Sequence, residues 1–225
     1  MKARQSGFTL VEIAIVLVII GLLLGGILKG QEMITQAKIK NVIADFSGVS
    51  AAYHGYQDRY RAIPGDDPNA ATRWAVAPAA TAGDGNGVVG GLYNTAADAA
   101  GAAGESRRWW DHLRRAGFVS GTGTQQPFNA LTGMIGVQTG DGAGAATMLN
   151  AAAGNGFVGL IMCSANLPDK IAIAVDTQMD DGASNLGTVR ALLQAAPNPA
   201  IGAGQVATPA YAETSTNIYV LCRAL

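Results

Sequence analysis

Residues 1–30 read MKARQSGFTLVEIAIVLVIIGLLLGGILKG, and within them the run LVEIAIVLV (10–18) sets a carboxylate, Glu12, in an otherwise apolar segment. From Phe8 to Leu28 only Thr9 and Glu12 break the apolar composition, and the stretch is long enough to cross a hydrocarbon core of about 30 Å as a helix. Lys2 and Arg4 precede it, which predicts a cytoplasmic amino terminus with everything after Leu28 exported. Lys29 and Gly30 lead into Gln31 and Glu32 without an A-x-A site, so removal of the whole span is not expected. An ordinary signal anchor leaves Glu12 unexplained, because an ionised carboxylate in lipid is costly unless it is paired or lies at the interface.

Beyond the span, Ile39, Val42, Phe46, Val49, Tyr53, Tyr56 and Tyr60 recur at alternating spacings of three and four. That is one face of a helix, with Lys38, Lys40, Asp45, Gln57, Asp58 and Arg59 between. Pro64 limits it, since the residue before proline is pushed away from helical angles. The spacing predicts a nearly continuous helix from Phe8 to about Tyr60, on the order of 80 Å at 1.5 Å per residue. Gly21, Gly25, Gly26 and Gly30 weaken its first half. They mark either a place that kinks or melts, or a small-residue surface for close helix packing, Gly21 and Gly25 forming a GxxxG.

The remainder reads as irregular structure with short elements. RAIPGDDPNAATRW (61–74) is turn chemistry. ESRRWWDHLRRAG (105–117) reads as an amphipathic helix with Trp109, Leu113 and Trp110 inward and Gly117 at its end. GLIMCSANLP (159–168) and NIYVLCRAL (217–225) suit strands, and a helix from about Pro168 to Met179 precedes a DDG turn and a further strand. The Ala/Gly-rich segments 75–104, 139–156 and 195–209 read as loops or surface insertions.

Fifteen basic and sixteen acidic residues give a formal charge of -1 with no polybasic tract, so nucleic acid is not an expected partner. The two cysteines, Cys163 and Cys222, are too far apart for a CxxC motif, which leaves one disulfide or two unrelated buried thiols. Export favours the disulfide, which the chain-entropy model credits with about 4 kcal/mol at most.

Gly7-Phe8-Thr9-Leu10-Val11-Glu12, after a short basic leader and opening an apolar helix, resembles the prepilin signal of type IV pilins and type II secretion pseudopilins. The resemblance implies that prepilin peptidase cuts on the cytoplasmic side between Gly7 and Phe8 and methylates the new amino group of Phe8. It implies that Glu12 accepts an ion pair or hydrogen bond from the Phe8 amine of a neighbouring subunit, acting as an assembly register. The domains are then a leader (1–7), a transmembrane and filament-core helix (8–30) and an exported globular domain (31–225). The implied fold is α+β and pilin-like: a long N-terminal helix packed on a small antiparallel sheet, with loop insertions and a C-terminal disulfide. The implied partners are other pilin subunits, prepilin peptidase, the inner-membrane assembly platform and the membrane itself. The chain is expected in the inner membrane before assembly and in a periplasmic or cell-surface filament after it. A pilus subunit of minor or specialised kind fits the 225-residue length. The alternatives are a secretion pseudopilin, though not of the tip kind that lacks the glutamate, and a signal-anchored exported ligand-binding protein.

An enzyme is not expected, since G-x-S-x-G, H-E-x-x-H and P-loop patterns are missing and His54 and His112 read as structural or exposed. No cofactor is expected. A calcium site using Asp84, Asn86, Asp66 or Asp67 is the alternative to plain turns, because DGNG (84–87) resembles the start of a calcium loop but Thr95 stands where an EF-hand needs glutamate. Asp180-Asp181-Gly182 has the same two readings, with the turn favoured. Trp109 and Trp110 beside Arg107, Arg108, Arg114 and Arg115 read as an inward stripe with solvated arginines rather than a DNA or carbohydrate surface.

Overall fold

A computed structural model describes residues 9–96, 104–150 and 154–225. Its first element, α1, runs unbroken from Leu10–Tyr60. By contacts, the chain divides between Lys38 and Ile39 into two units. In the second unit, Ile39, Val42, Phe46, Val49, Tyr53 and Tyr56 are buried, the stripe that the spacing predicts. Tyr60 is half-buried, its ring 4.7 Å from Tyr56 and 5.6 Å from Trp74. The helix stops at Arg61, which takes a left-handed φ of 54° three residues ahead of Pro64.

A single turn, α2 (Ala70–Arg73), precedes α3 (Glu105–Arg115). Gly117 ends α3 at φ 82°, with its N–H donating to Arg114 and that of Phe118 to the Leu113 carbonyl, the paired bonds of a Schellman cap. Four strands follow: β1 (Ile135–Thr139), β2 (Leu160–Pro168), β3 (Val189–Leu193) and β4 (Ile218–Ala224), with α4 (Asp169–Met179) between β2 and β3. They form one antiparallel sheet in the order β1-β2-β4-β3. The expected α+β arrangement is therefore present. The expected strands and the helix near Pro168 are where the apolar runs put them. β1 has no counterpart among the expected elements.

Alternation along the strands gives the sheet two apolar faces. Met162, Leu167, Tyr219 and Leu221 join the α1 stripe together with Trp109, Trp110 and Leu113 of α3. On the second face, Ile161, Cys163, Ala165, Val220 and Cys222 pack with Tyr93, Met148, Ile201 and Ala207. The described parts of the Ala/Gly-rich segments are loops, as expected, but they are not confined to the surface. Tyr93, Met148, Ile201 and Ala207 from them are buried and form a layer over the sheet, because an antiparallel sheet with an uncovered apolar face would leave that area in water. Gln138 fixes the layer: its amide accepts from Tyr93 N at 2.9 Å and donates to the Ile201 carbonyl at 2.8 Å. Gly136 is needed in β1 because a Cβ there would strike the Tyr93 carbonyl.

Cys163 and Cys222 are directly opposed on the central strands, Cα atoms 4.0 Å apart, and form a disulfide. The bond ties the last strand to the middle of the sheet. Both sheet edges are occupied: Ile135 N donates to Pro127 and Thr139 N to Val89 beside β1, while Ser184 and Thr208 pair with Ala191 beside β3.

Candidate functional site

At the start of α1, Thr9 and Glu12 stand at the N-cap and third helical positions. Thr9 N and Oγ1 donate to Glu12 Oε2 at 2.7 and 2.8 Å, and Glu12 N donates back to Thr9 Oγ1 at 3.3 Å. That reciprocal arrangement is a capping box, which satisfies backbone donors a helix otherwise leaves open. It is a local role for Glu12 that the sequence carries as T-x-x-E and that the filament reading alone overlooked. Glu12 Oε1 receives no donor among the described residues. The expected cleavage bond between Gly7 and Phe8, and the expected Phe8 amine, lie outside the described residues.

From Leu10 to Ile34 the large apolar side chains are exposed, Leu10 at 87% and Leu22 at 73%. This part of α1 is long and apolar enough to cross a membrane. Gly21, Gly25, Gly26 and Gly30 lie within continuous helix, and among the described residues a Cβ at any of them would meet nothing within 4 Å beyond the neighbouring turns of its own helix. Packing among the described residues does not require these glycines.

The expected calcium residues are partly brought together. Asp66 stands beside Asp84 and Glu105, the last not among the expected residues, and all three offer oxygens within 4.8 Å of one another. Their oxygens, however, already accept hydrogen bonds: Asp66 from the N–H groups of Gly85, Asn86 and Gly87, Asp84 from Asn86, and Glu105 from Asp84 and Gly90. The cluster folds the 84–90 loop onto the start of α3. Burial and the neighbouring Asp84 raise the Asp66 carboxyl, against the pull of the loop N–H groups. Asp67 belongs elsewhere. It is fully buried, accepts from the Tyr56 hydroxyl at 2.6 Å and pairs with Arg73 at 2.5 Å. Those bonds outweigh burial and hold Asp67 below the usual carboxylate range.

A second acidic group stands where α4 turns toward β3. Asp176, Asp180 and Asp181 also offer oxygens within 4.8 Å of one another. Burial raises the Asp176 carboxyl to about 6, the Asp181 and Asp180 charges push the same way, and Tyr211 and the Gly182 amide oppose them.

His54 is exposed and His112 buried. His112 Nδ1 accepts from Gly65 N at 2.9 Å, so Nε2 carries the proton and donates to the Thr81 carbonyl at 2.9 Å. Trp109 and Trp110 are buried, as the inward-stripe reading requires. The arginines of α3 are not simply solvated. Arg107 reaches Thr95, Arg108 Ala82, Arg114 the carbonyls of Ser120, Gly123 and Gln125, and Arg115 both Asp111 and Pro78. They fasten the surrounding loops to the helix, and a guanidinium's fork of donors suits that task.

Residues 2–28 match the family model described as the prokaryotic N-terminal methylation motif, the signal of type IV pilins and pseudopilins. The motif implies processing by prepilin peptidase and filament assembly in general. No curated protein and no solved structure matches the chain.

Proposed function

We propose that this chain is a structural filament subunit, cut before Phe8, methylated there, and built into a pilus or pilus-like filament through the first half of α1. The observation that carries the reading is the pairing of the methylation motif at 2–28 with an apolar helix whose side chains have no cover among the described residues. Before assembly, lipid covers such a surface; in a filament, the same surface of other subunits does. The open Oε1 of Glu12 supports a register contact, since it is able to accept from a neighbour's Phe8 amine while Oε2 keeps the capping box.

Within this class we assign a minor or specialised pilus subunit. The 225-residue length and the loop layer over the second sheet face support that choice over an abundant pilin. Proteomics of sheared pili and of secretion pseudopili tests it: the chain at low ratio in pili agrees, and its enrichment in pseudopili alone selects the pseudopilin.

The class itself is tested by N-terminal mass spectrometry of the protein from membranes of cells with and without prepilin peptidase. A peptide beginning at methylated Phe8, present only with the peptidase, is expected. An intact leader in peptidase-proficient cells would sink the filament reading and promote a signal-anchored binding protein. Glu12→Leu is expected to abolish efficient assembly while leaving the exported domain folded.

A further inference from the structure

We propose that Asn155 is a site of self-modification, at which the Gly156 nitrogen attacks the Asn155 carboxamide, ammonia leaves, and aspartate or isoaspartate remains. Asn-Gly occurs twice in the chain, at 86–87 and 155–156, and the two pairs stand in opposite surroundings. Glycine lacks the Cβ that would crowd its nitrogen during such an approach.

Asn155 is exposed in a loop whose ends, Thr147 and Phe157, exchange backbone hydrogen bonds at 3.1 and 2.8 Å. Among the described residues neither the Asn155 carboxamide nor the Gly156 N–H has a hydrogen-bond partner. The Asn155 carbonyl, by contrast, accepts from Asn150 N at 2.8 Å and from Arg190 Nη1 at 3.0 Å. Arg190 is buried, its guanidinium stacked over Phe157 at 4.6 Å from the ring centroid and donating also to the Met148 carbonyl. It has no ion pair among the described residues. Packing accounts for Gly156, since a Cβ there would strike the Thr147 carbonyl, but not for the asparagine before it.

Attack requires Gly156 N to lose its proton to hydroxide. The charge of the resulting amidate spreads onto the Asn155 carbonyl oxygen, where a guanidinium and a backbone N–H already point. The nitrogen then bonds to Asn155 Cγ, the Cγ–Nδ2 bond breaks, and Nδ2 leaves as ammonia with protons from water. Water opens the resulting ring at either carbonyl, so ammonia is lost and water gained overall. Opening on the α-carbonyl side gives isoaspartate, whose new α-carboxylate is the group that Arg190 already touches. A buried cation thereby acquires a counter-ion.

At the other pair these conditions are reversed. Gly87 N donates to Asp66 Oδ2 at 2.8 Å, which sets a carboxylate against the nitrogen that would have to become negative. Asn86 Nδ2 donates to Asp84 Oδ2 at 2.9 Å, and its Oδ1 accepts from Val88 N at 2.7 Å, so the carboxamide is held away from attack. The inference is independent of the filament reading.

The test is to age the full chain in detergent micelles at mildly alkaline pH and follow both pairs by peptide mapping with isoaspartate-specific fragmentation. Synthetic peptides spanning 80–92 and 147–160 serve as unfolded references. Asn155 is expected to convert at least as fast in the folded chain as in its peptide, and Asn86 at least about tenfold slower than in its own. Arg190→Gln, checked for folding by circular dichroism, is expected to slow conversion at Asn155 by about threefold or more. If that variant does not fold, the ratio of chain to peptide in the wild type decides alone. Protection of Asn155 relative to its peptide, or a folded Arg190→Gln chain that converts at the wild-type rate, would overturn the assignment.

Discussion

The two halves of α1 share one helix and differ in what their apolar side chains touch. Between Leu10 and Ile34 those side chains are exposed, and from Ile13 to Leu28 the composition is apolar on every side. Between Ile39 and Tyr56 the apolar residues keep to one stripe and are buried under α3 and the sheet. A helix apolar all round needs a medium or partner outside its chain, whereas a striped one has its partner in the same fold. The pattern of hydrophobicity, more than its amount, therefore separates the part whose cover must come from outside the chain from the part that serves folding.

Four substitutions probe that division, each read by denaturant or thermal unfolding of the full chain in micelles. Phe46→Ala should be the most damaging, removing a fully buried ring from the stripe at about 3–5 kcal/mol. A loss under about 1 kcal/mol would mean the stripe does not hold the domain. Gly136→Ala should follow at about 1–3 kcal/mol, because its methyl collides with the Tyr93 backbone. If it unfolds like the wild type, the loop layer is not packed on the sheet.

His112 supplies a smaller, pH-dependent effect. Burial lowers its pKa from 6.5, with the Arg108 charge adding to that and the Thr81 carbonyl, Asp67 and Asp111 opposing. The unfolded chain thus takes up the proton first, so this contribution is complete above pH 6.5 and is lost as pH falls below it. Protonation also turns Nδ1, the acceptor for Gly65 N, into a donor. Asp176, raised to about 6, acts with the opposite sign in the same window, so the readout is the wild type minus His112→Asn. A difference that stays flat from neutral pH to about pH 5 would contradict the buried neutral imidazole. Smallest of all, Leu17→Ala in the exposed half should shift domain stability by no more than about 0.5 kcal/mol. A large loss there would erase the distinction between the halves.

Legibility in the sequence followed the same line. Period 3.6 exposed the stripe, α3 and the end of α1, and the apolar runs around Cys163 and Cys222 exposed β2 and β4. β1 was illegible because IGVQT is short, contains glycine and buries a glutamine whose partners are backbone groups far along the chain. The loop layer was illegible because its buried residues, such as Tyr93, Met148 and Ile201, are scattered singly through alanine and glycine. At the candidate site the motif was plain, and so was the carboxylate at 12. Its capping role is written in Thr9-x-x-Glu12, where a carboxylate able to reach a neighbouring subunit equally closes its own helix. For the acidic clusters, composition located both DG turns, but only geometry could say which oxygens had donors.

The closed sheet edges bear on how copies of this chain meet. Loops at Val89 and Pro127 occupy the rim of β1, and those at Ser184 and Thr208 the rim of β3. Among the described residues these bonds interrupt the ladder on which a neighbouring copy would extend the sheet, which hinders the route by which crowded β-domains stick edge to edge. In the filament we propose, growth is then left to the apolar helix, and the globular domains are passengers whose surfaces are free to diverge without altering how the polymer grows.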